Sequence, residues 1–254
     1  MKNETIIISG ATSGIGKATA ELLARTGRSL ILTGRRNERL EILKSELEAK
    51  GAAVFIASFD IRNRKETEQF VDSIPAEFRN IRVLINNAGL AAGLSAVQDG
   101  DPDDWDQMID TNVKGLLYLS RTVIPLLEKV EGAQIVNVSS IAGKEVYPNG
   151  NVYCASKFAV DALTKGMRID LLPKGIRVSS VCPGMVETEF SLVRFKGDAE
   201  RAANVYKGLQ PLHAEDIAES IRYIIELPYR ISIADMLIFP TIQASSRDVL
   251  REGV

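Results

Sequence analysis

The sequence predicts a doubly wound α/β protein: a seven-stranded parallel sheet with helices on both faces. Short β-branched runs alternate with amphipathic stretches along the whole chain, the pattern of successive βαβ units. Most of those runs are apolar at every position instead of alternating, which suits strands covered on both faces. Gly27 and Gly51 fall where two of the amphipathic stretches need a left-handed residue to end a helix.

The elements follow in order. Strands are expected at Thr5 to Ser9, Ser29 to Thr33, Ala53 to Ser58, Val83 to Asn86, Gln134 to Ser139, Arg177 to Cys182 and Met236 to Phe239. Helices are expected at Ile15 to Thr26, Glu38 to Lys50, Lys65 to Ile74, Thr111 to Lys129, Tyr153 to Leu172 and Ala214 to Glu226. Pro125 should kink the fourth of these, because its ring removes a donor and crowds the preceding turn. Trp105, after an acidic Pro-containing start, packs a short helix. The alternation breaks once, over Met185 to Pro211, a long segment of mixed composition that reads as a substrate lid at about 185–211.

At 254 residues and 45% hydrophobic content, the chain is expected to form a single domain, 1–254, around a substantial core. A net charge of -2, with both signs interspersed, gives no basic footprint for nucleic acid. No apolar run reaches the roughly 20 residues a bilayer requires, and the first residues lack the pattern of a signal peptide. Two cysteines, Cys154 and Cys182, make a disulfide framework improbable. A soluble, cytoplasmic protein is expected. One histidine, His213, reads as a helix-start residue, and with two distant cysteines it implies no metal site.

A glycine-rich turn follows the first strand and opens the first helix. Gly10 permits a tight turn, Gly14 a close approach of backbone to a pyrophosphate, and Gly16 close packing of helix on strand. Thr12, Ser13 and Ile15 complete the turn, and the helix start offers free amides and partial positive charge to phosphates. This is a Rossmann-type nucleotide cradle, spaced Gly-x-x-x-Gly-x-Gly. Arg35 and Arg36 follow the second strand, where an NAD site would carry an acid for the ribose hydroxyl. Guanidinium groups there suit a 2′-phosphate, so NADP is the expected cofactor. Asp60 and Ile61 end the third strand, and Asn87, Ala88 and Gly89 follow the fourth, at the sheet edge where ligands collect. Asp60 is placed to accept from an adenine amino group, and the other three to line the ribose.

Tyr153 and Lys157 stand four residues apart, on one face of a helix. A phenol titrates near 10, and a neighbouring ammonium would bring it toward the working range. Tyr153 is therefore the candidate proton donor in carbonyl reduction and base in alcohol oxidation, tuned by Lys157. Ser140, at the end of the fifth strand, can orient a substrate oxygen, and Asn112 can fix a water that relays protons to Lys157.

Ser9-Gly10, Asn86-Asn-Ala-Gly, Asn112, Ser140, Tyr153-x-x-x-Lys157 and Pro183-Gly-Met-Val-Glu-Thr188 together resemble the short-chain dehydrogenase/reductase family over almost the whole chain. The resemblance implies a catalytic tetrad of Asn112, Ser140, Tyr153 and Lys157. It places Pro183, Gly184, Val186 and Thr188 at the nicotinamide end, with Tyr153 and Lys157 also touching cofactor, and it implies a homotetramer. Thr33-Gly-Arg-Arg-Asn-Glu-Arg-Leu40, Asp104 to Asn112, Gly150-Asn-Val-Tyr153 and Glu189 to Asp198 resemble, more narrowly, the NADP-dependent 3-hydroxy acid dehydrogenases. Those act on serine, L-allo-threonine and related acids and reduce malonic semialdehyde, and 3-hydroxypropionate is of the same type.

A small acid needs a cation in its pocket, and Arg194 and Lys196 in the lid are the candidates by sign and position. The same tetrad would serve a broad carbonyl reductase acting on neutral ketones. A non-catalytic NADP-binding regulator is the alternative from another class.

Overall fold

Thr5–Ser9 (β1) is buried at every position. Such a strand needs a neighbour on each edge and a covering layer on each face. Ser29–Gly34 (β2) and Ile81–Asn86 (β4) flank it, both parallel. Val54–Ser58 (β3) lies beyond β2, and Gln134–Val138 (β5) and Arg177–Pro183 (β6) lie beyond β4. Val186–Glu187 (β7) and Leu212–His213 (β8) pair separately, and Asp235–Ile238 (β9) forms the far edge beside β6. The main sheet therefore has seven parallel strands, as the sequence predicts, and their order is β3-β2-β1-β4-β5-β6-β9. These features belong to a computed structural model that describes residues 4–251.

Alternation along β1 divides the core in two. Ile6 and Ile8, with Leu30 and Leu32 of β2, meet Leu23 of Gly14–Ala24 (α1), Leu40 and Leu43 of Asn37–Glu48 (α2), and Ile221 of Ala214–Glu226 (α9). Ile7 and Ile31 face the other way, toward Phe70 of Arg64–Ser73 (α3), Leu119 and Val123 of Leu116–Leu127 (α5), and Met167 of Asn151–Asp170 (α6). Each strand thus supplies both layers, which is why the runs are apolar throughout.

Two regions differ from expectation. The fourth predicted helix does not run unbroken from Thr111: Pro102–Ile109 (α4) passes into a wide π-helical turn, Asp110–Gly115, and then into α5. Asn112 is held sideways by the main chain of Leu90, and Gly115 leaves room for Ile61, so the local path follows tertiary contacts over the regular helical ladder. Pro125 lies inside α5, in its last turn, and its missing donor leaves the carbonyl of Arg121 without the regular helical hydrogen bond.

Met185 to Pro211 folds into Phe190–Arg194 (α7) and Ala199–Tyr206 (α8). The β7–β8 ribbon, reinforced by Leu212 N donating to Met185 O, makes the segment leave and return at one place. His213 caps α9, its main-chain N–H donating to Asp216, as expected of a helix-start residue. β1 and β4 are neighbours whose chains continue in opposite directions across the sheet, which opens a crevice at their carboxyl ends.

Candidate active site

A cavity of about 480 Å³ opens at that crevice. Its floor is the turn between β1 and α1. Gly10 and Gly14 have φ of 68° and 51°, a conformation costly for residues with a Cβ. A Cβ on Gly10 would also lie 2.8 Å from Ala88 Cα. Asn87 ties the turn down, donating from Nδ2 to the carbonyls of Ser9 and Gly10 at 3.0 and 3.1 Å. Gly16 lies beneath the cavity, where a Cβ would fall on Gly10 O and Asn87 Nδ2. Thr12, Ser13 and Ile15 line the cavity above it, as do Asn87, Ala88 and Gly89.

At the end of β2, Arg36 lies across the turn. Its Nε and Nη2 donate to Thr12 Oγ1 at 3.0 and 2.8 Å, and Nη2 also donates to Ser13 Oγ at 2.8 Å. Its Nη1 meets Glu189 Oε2 at 2.9 Å, and Arg39 grips the same carboxylate at 2.8 and 2.9 Å. Arg35 and Ile61 line the cavity beside them. Asp60 also lines it, but its carboxylate accepts from Arg62 Nε and Nη2 at 3.0 and 2.6 Å. The Arg62 hydrogen bond holds that carboxyl below its usual range, so Asp60 meets an adenine amino group already paired.

Across the cavity stand Ser140, Tyr153 and Lys157. Ser140 Oγ caps a short turn, accepting from Ala142 N at 3.1 Å. Burial raises the Tyr153 phenol above its ordinary range, with Arg194 and a hydrogen bond to Ser140 acting the other way. Lys157 Nζ donates to Val138 O at 3.1 Å, and burial lowers it to about 8. Its Nζ lies 5.9 Å from the centre of the Tyr153 ring. Asn112 sits behind the cavity wall. Its Oδ1 accepts from Leu90 N at 2.8 Å, and its Nδ2 donates to Leu90 O and Ser156 Oγ at 2.8 and 3.0 Å. That leaves the side chain no free N–H for a relay water.

The two cations of the 185–211 segment, Arg194 and Lys196, part company. Arg194 enters the cavity, stacked 4.9 Å from the Tyr153 ring centre and 5.2 Å from that of Phe190. Its Nη2 donates to Tyr147 Oη at 2.6 Å, while its buried Nε has no hydrogen-bond partner. Lys196 points away and is excluded from the cavity wall. It pairs with Asp101 at 3.2 Å and Asp104 at 2.9 Å, because α7 ends at Arg194 and Lys196 takes a left-handed φ of 53°. The sequence-based placement of Lys196 beside the substrate is therefore corrected. Pro183, Gly184, Val186 and Thr188 line the remaining wall.

Residues 4–198 match the model of the family described as short chain dehydrogenase. The chain belongs to this family. It is 45% identical to sulfoacetaldehyde reductase 2 of Chromohalobacter salexigens, over 96% of this chain and 97% of that one. It is 43% identical to the NADP-dependent 3-hydroxy acid dehydrogenase of Schizosaccharomyces pombe, over 99% and 98% of the two. Among solved structures it is similar to the closed form of serine dehydrogenase complexed with NADP+, with a TM-score of 0.92, 39% identity, and coverage of 98% of this chain and 100% of that chain.

This short-chain dehydrogenase also carries cavity residues that sequence reasoning missed. Tyr147 and Phe190 flank Arg194, but an aromatic residue in a loop or a lid has no distinguishing local pattern. Gln243 returns from beyond β9, its Oε1 accepting from Met185 N at 2.8 Å beside Gly184. Arg39, outside the cavity wall, was legible three residues past Arg36, since it falls on the first turn of α2 and Arg36 at the residue that caps it.

Proposed function

We propose that this protein is an NADP-dependent oxidoreductase that transfers hydride between its cofactor and the hydroxyl-bearing carbon of a small 3-hydroxy acid. The observation that carries the substrate class is the buried, unpartnered Nε of Arg194, beside Tyr147 Oη and over the Tyr153 ring. A buried donor without a partner costs stability, and a substrate carboxylate would satisfy it with a charge-assisted bond.

NADP fits the rest of the cavity. The glycine turn is a cradle that side chains would fill, and two guanidinium groups converge at the end of β2, where a 2′-phosphate lies on this fold. The NADP-dependent relative and the NADP+ complex of serine dehydrogenase support the same choice. Gly10, Gly14 and Arg36 would hold its phosphates, with Asn87 to Gly89 at the ribose and Pro183, Gly184, Val186 and Thr188 at the nicotinamide end. When bound, the cofactor supplies hydride for reduction and accepts it in oxidation.

The chain's own residues do the rest. Tyr153 keeps its proton at neutral pH and gives it from Oη to the carbonyl oxygen in reduction; in oxidation the phenolate takes it back. Ser140 orients that oxygen. Lys157 holds the cofactor ribose and supports proton supply, while Asn112 fixes the main chain of Leu90 behind it. Arg194, on a lid formed by Met185 to Pro211, fixes the acid end and closes the site to water.

A second reading keeps the mechanism and changes the acid. The sulfoacetaldehyde reductase relative favours a short sulfonate, whose oxygens would accept from the same Arg194 donors. We further infer a homotetramer working in the cytoplasm. Exposed Leu117, Phe158 and Ile169 on α5 and α6 support assembly, and two free cysteines support a reducing compartment.

The test is formation of reduced nicotinamide by purified protein with NADP+ or NAD+. L-serine, L-allo-threonine, 3-hydroxypropionate, a two-carbon hydroxysulfonate and a neutral secondary alcohol are compared. Turnover of the acids with NADP+ is expected. Turnover of the neutral alcohol alone would make the protein a general carbonyl reductase, and tight NADP binding without turnover would make it a regulator.

A further inference from the structure

We propose that Lys196 is a positioning residue: its ion pairs with Asp101 and Asp104 clasp the turn after α7 to the start of α4 and thereby hold Arg194 over Tyr153. The inference rests on the assignment of Arg194 to the substrate acid and adds the device that sets that side chain in place.

The turn that ends α7 faces two ways. The Arg194 side chain enters the cavity, 4.9 Å from the Tyr153 ring centre, while its carbonyl oxygen accepts from Gly93 N at 2.9 Å. Two residues on, Lys196 Nζ lies 2.9 Å from Asp104 Oδ1 and 3.2 Å from Asp101 Oδ2. Gly93 and Asp104 are themselves neighbours, since a Cβ on Gly93 would fall 2.9 Å from Asp104 Oδ2. Main chain and side chain of the turn are therefore fastened at one spot, where the loop after β4 meets the first turn of α4.

A fully solvated ion pair would contribute little. This one differs in two respects. The Asp104 side chain is only 11% exposed, so removing the ammonium leaves a largely buried carboxylate without its cation. Lys196 also takes a left-handed φ of 53° just past the end of α7, a place that glycine fills at least cost, and a lysine there bears strain that its contacts must offset. The rest of the segment has its own ties. The β7–β8 ribbon closes its base, and Ser191 donates to Tyr206, which donates to Val186. Loss of the clasp therefore frees the turn beside Arg194 and leaves the segment folded. An acidic substrate must then bring Arg194 into place at the expense of its own binding, which raises KM and spares the bound, reacting complex.

The experiment uses the full chain with NADPH, malonic semialdehyde and a neutral ketone of similar size. Lys196→Met and Asp104→Asn should each raise the KM for malonic semialdehyde about three- to tenfold, as expected for an ion pair with one largely buried partner. The kcat should stay within about twofold of wild type, and the KM for the ketone should not change. Lys196→Arg should keep the wild-type KM. In an Arg194→Ala background, Lys196→Met should add nothing further, because the clasp acts through Arg194. Limited trypsin cleavage after Arg194 and Lys196, sites that Asp104→Asn preserves, should be faster in that variant than in wild type, with an unchanged circular dichroism spectrum. If Arg194→Ala itself leaves the KM for the acid unchanged, the substrate reading falls and this inference with it. If Arg194→Ala raises that KM while Lys196→Met does not, or raises it for acid and ketone alike, the positioning role alone is overturned. A full additional effect of Lys196→Met on top of Arg194→Ala, or unchanged cleavage in Asp104→Asn, would overturn it equally.

Discussion

The guanidinium carbon of Arg194 lies 4.9 Å from the centre of the Tyr153 ring. One side chain is thereby placed to stabilise charge on the phenol and, in the proposed function, to hold an anionic substrate. Burial raises Tyr153, and Arg194 is the nearby cation that works against burial. The phenol is protonated at neutral pH, the state required for carbonyl reduction.

Replacing the proton donor should separate chemistry from binding. Tyr153→Phe keeps the ring that Phe190 and Arg194 pack against. Turnover should fall about a hundred- to ten-thousandfold, the usual span for general acid catalysis, with NADPH affinity within about twofold of wild type by fluorescence titration. Equal losses in both would make Tyr153 a structural residue.

Gly16 tests the cradle. A methyl group there would fall on Gly10 O and Asn87 Nδ2, both main parts of the turn. Gly16→Ala should destabilise the fold by about 1–3 kcal/mol in urea unfolding and weaken dinucleotide binding. Gly27→Ala, with φ of 74° but open space around it, should cost only the backbone strain and leave binding intact.

Lys157 carries a pH signature. Burial lowers its folded pKa to about 8, below the ordinary lysine value, so the unfolded chain binds more protons between the two values. The penalty of the buried ammonium is complete below about 8 and fades as pH rises toward about 10.4. Lys157→Met should therefore be more stable than wild type by about 1–3 kcal/mol near pH 7, as judged from the size of such a shift. The gain should shrink by about pH 10. A gain equal at both values would mean that packing, and not charge, accounts for it.

Much of this architecture was legible because burial leaves its trace in local sequence. Ile6, Ile7 and Ile8 are apolar in succession because β1 is covered on both faces, and that pattern predicts the parallel sheet. The glycine turn and Tyr153-x-x-x-Lys157 were legible because each sets its geometry within a few residues. Sign and nearness in sequence misplaced Lys196, since a left-handed turn after α7 sends it to Asp101 and Asp104 while Arg194 goes inward. Tyr147 and Gln243 were not legible at all. They reach the site through the loop before α6 and the coil after β9, whose paths depend on contacts far apart in sequence.

The acid pocket is tested most directly by Arg194→Ala in the reduction direction at neutral pH, where the phenol keeps its proton whether or not the cation is present. The KM for malonic semialdehyde should rise about tenfold to a hundredfold, the worth of a charge-assisted hydrogen bond, and that for a neutral ketone of similar size should not change. Equal effects on both substrates, or none on either, would contradict the assignment of Arg194 to the acid and with it the proposed substrate class.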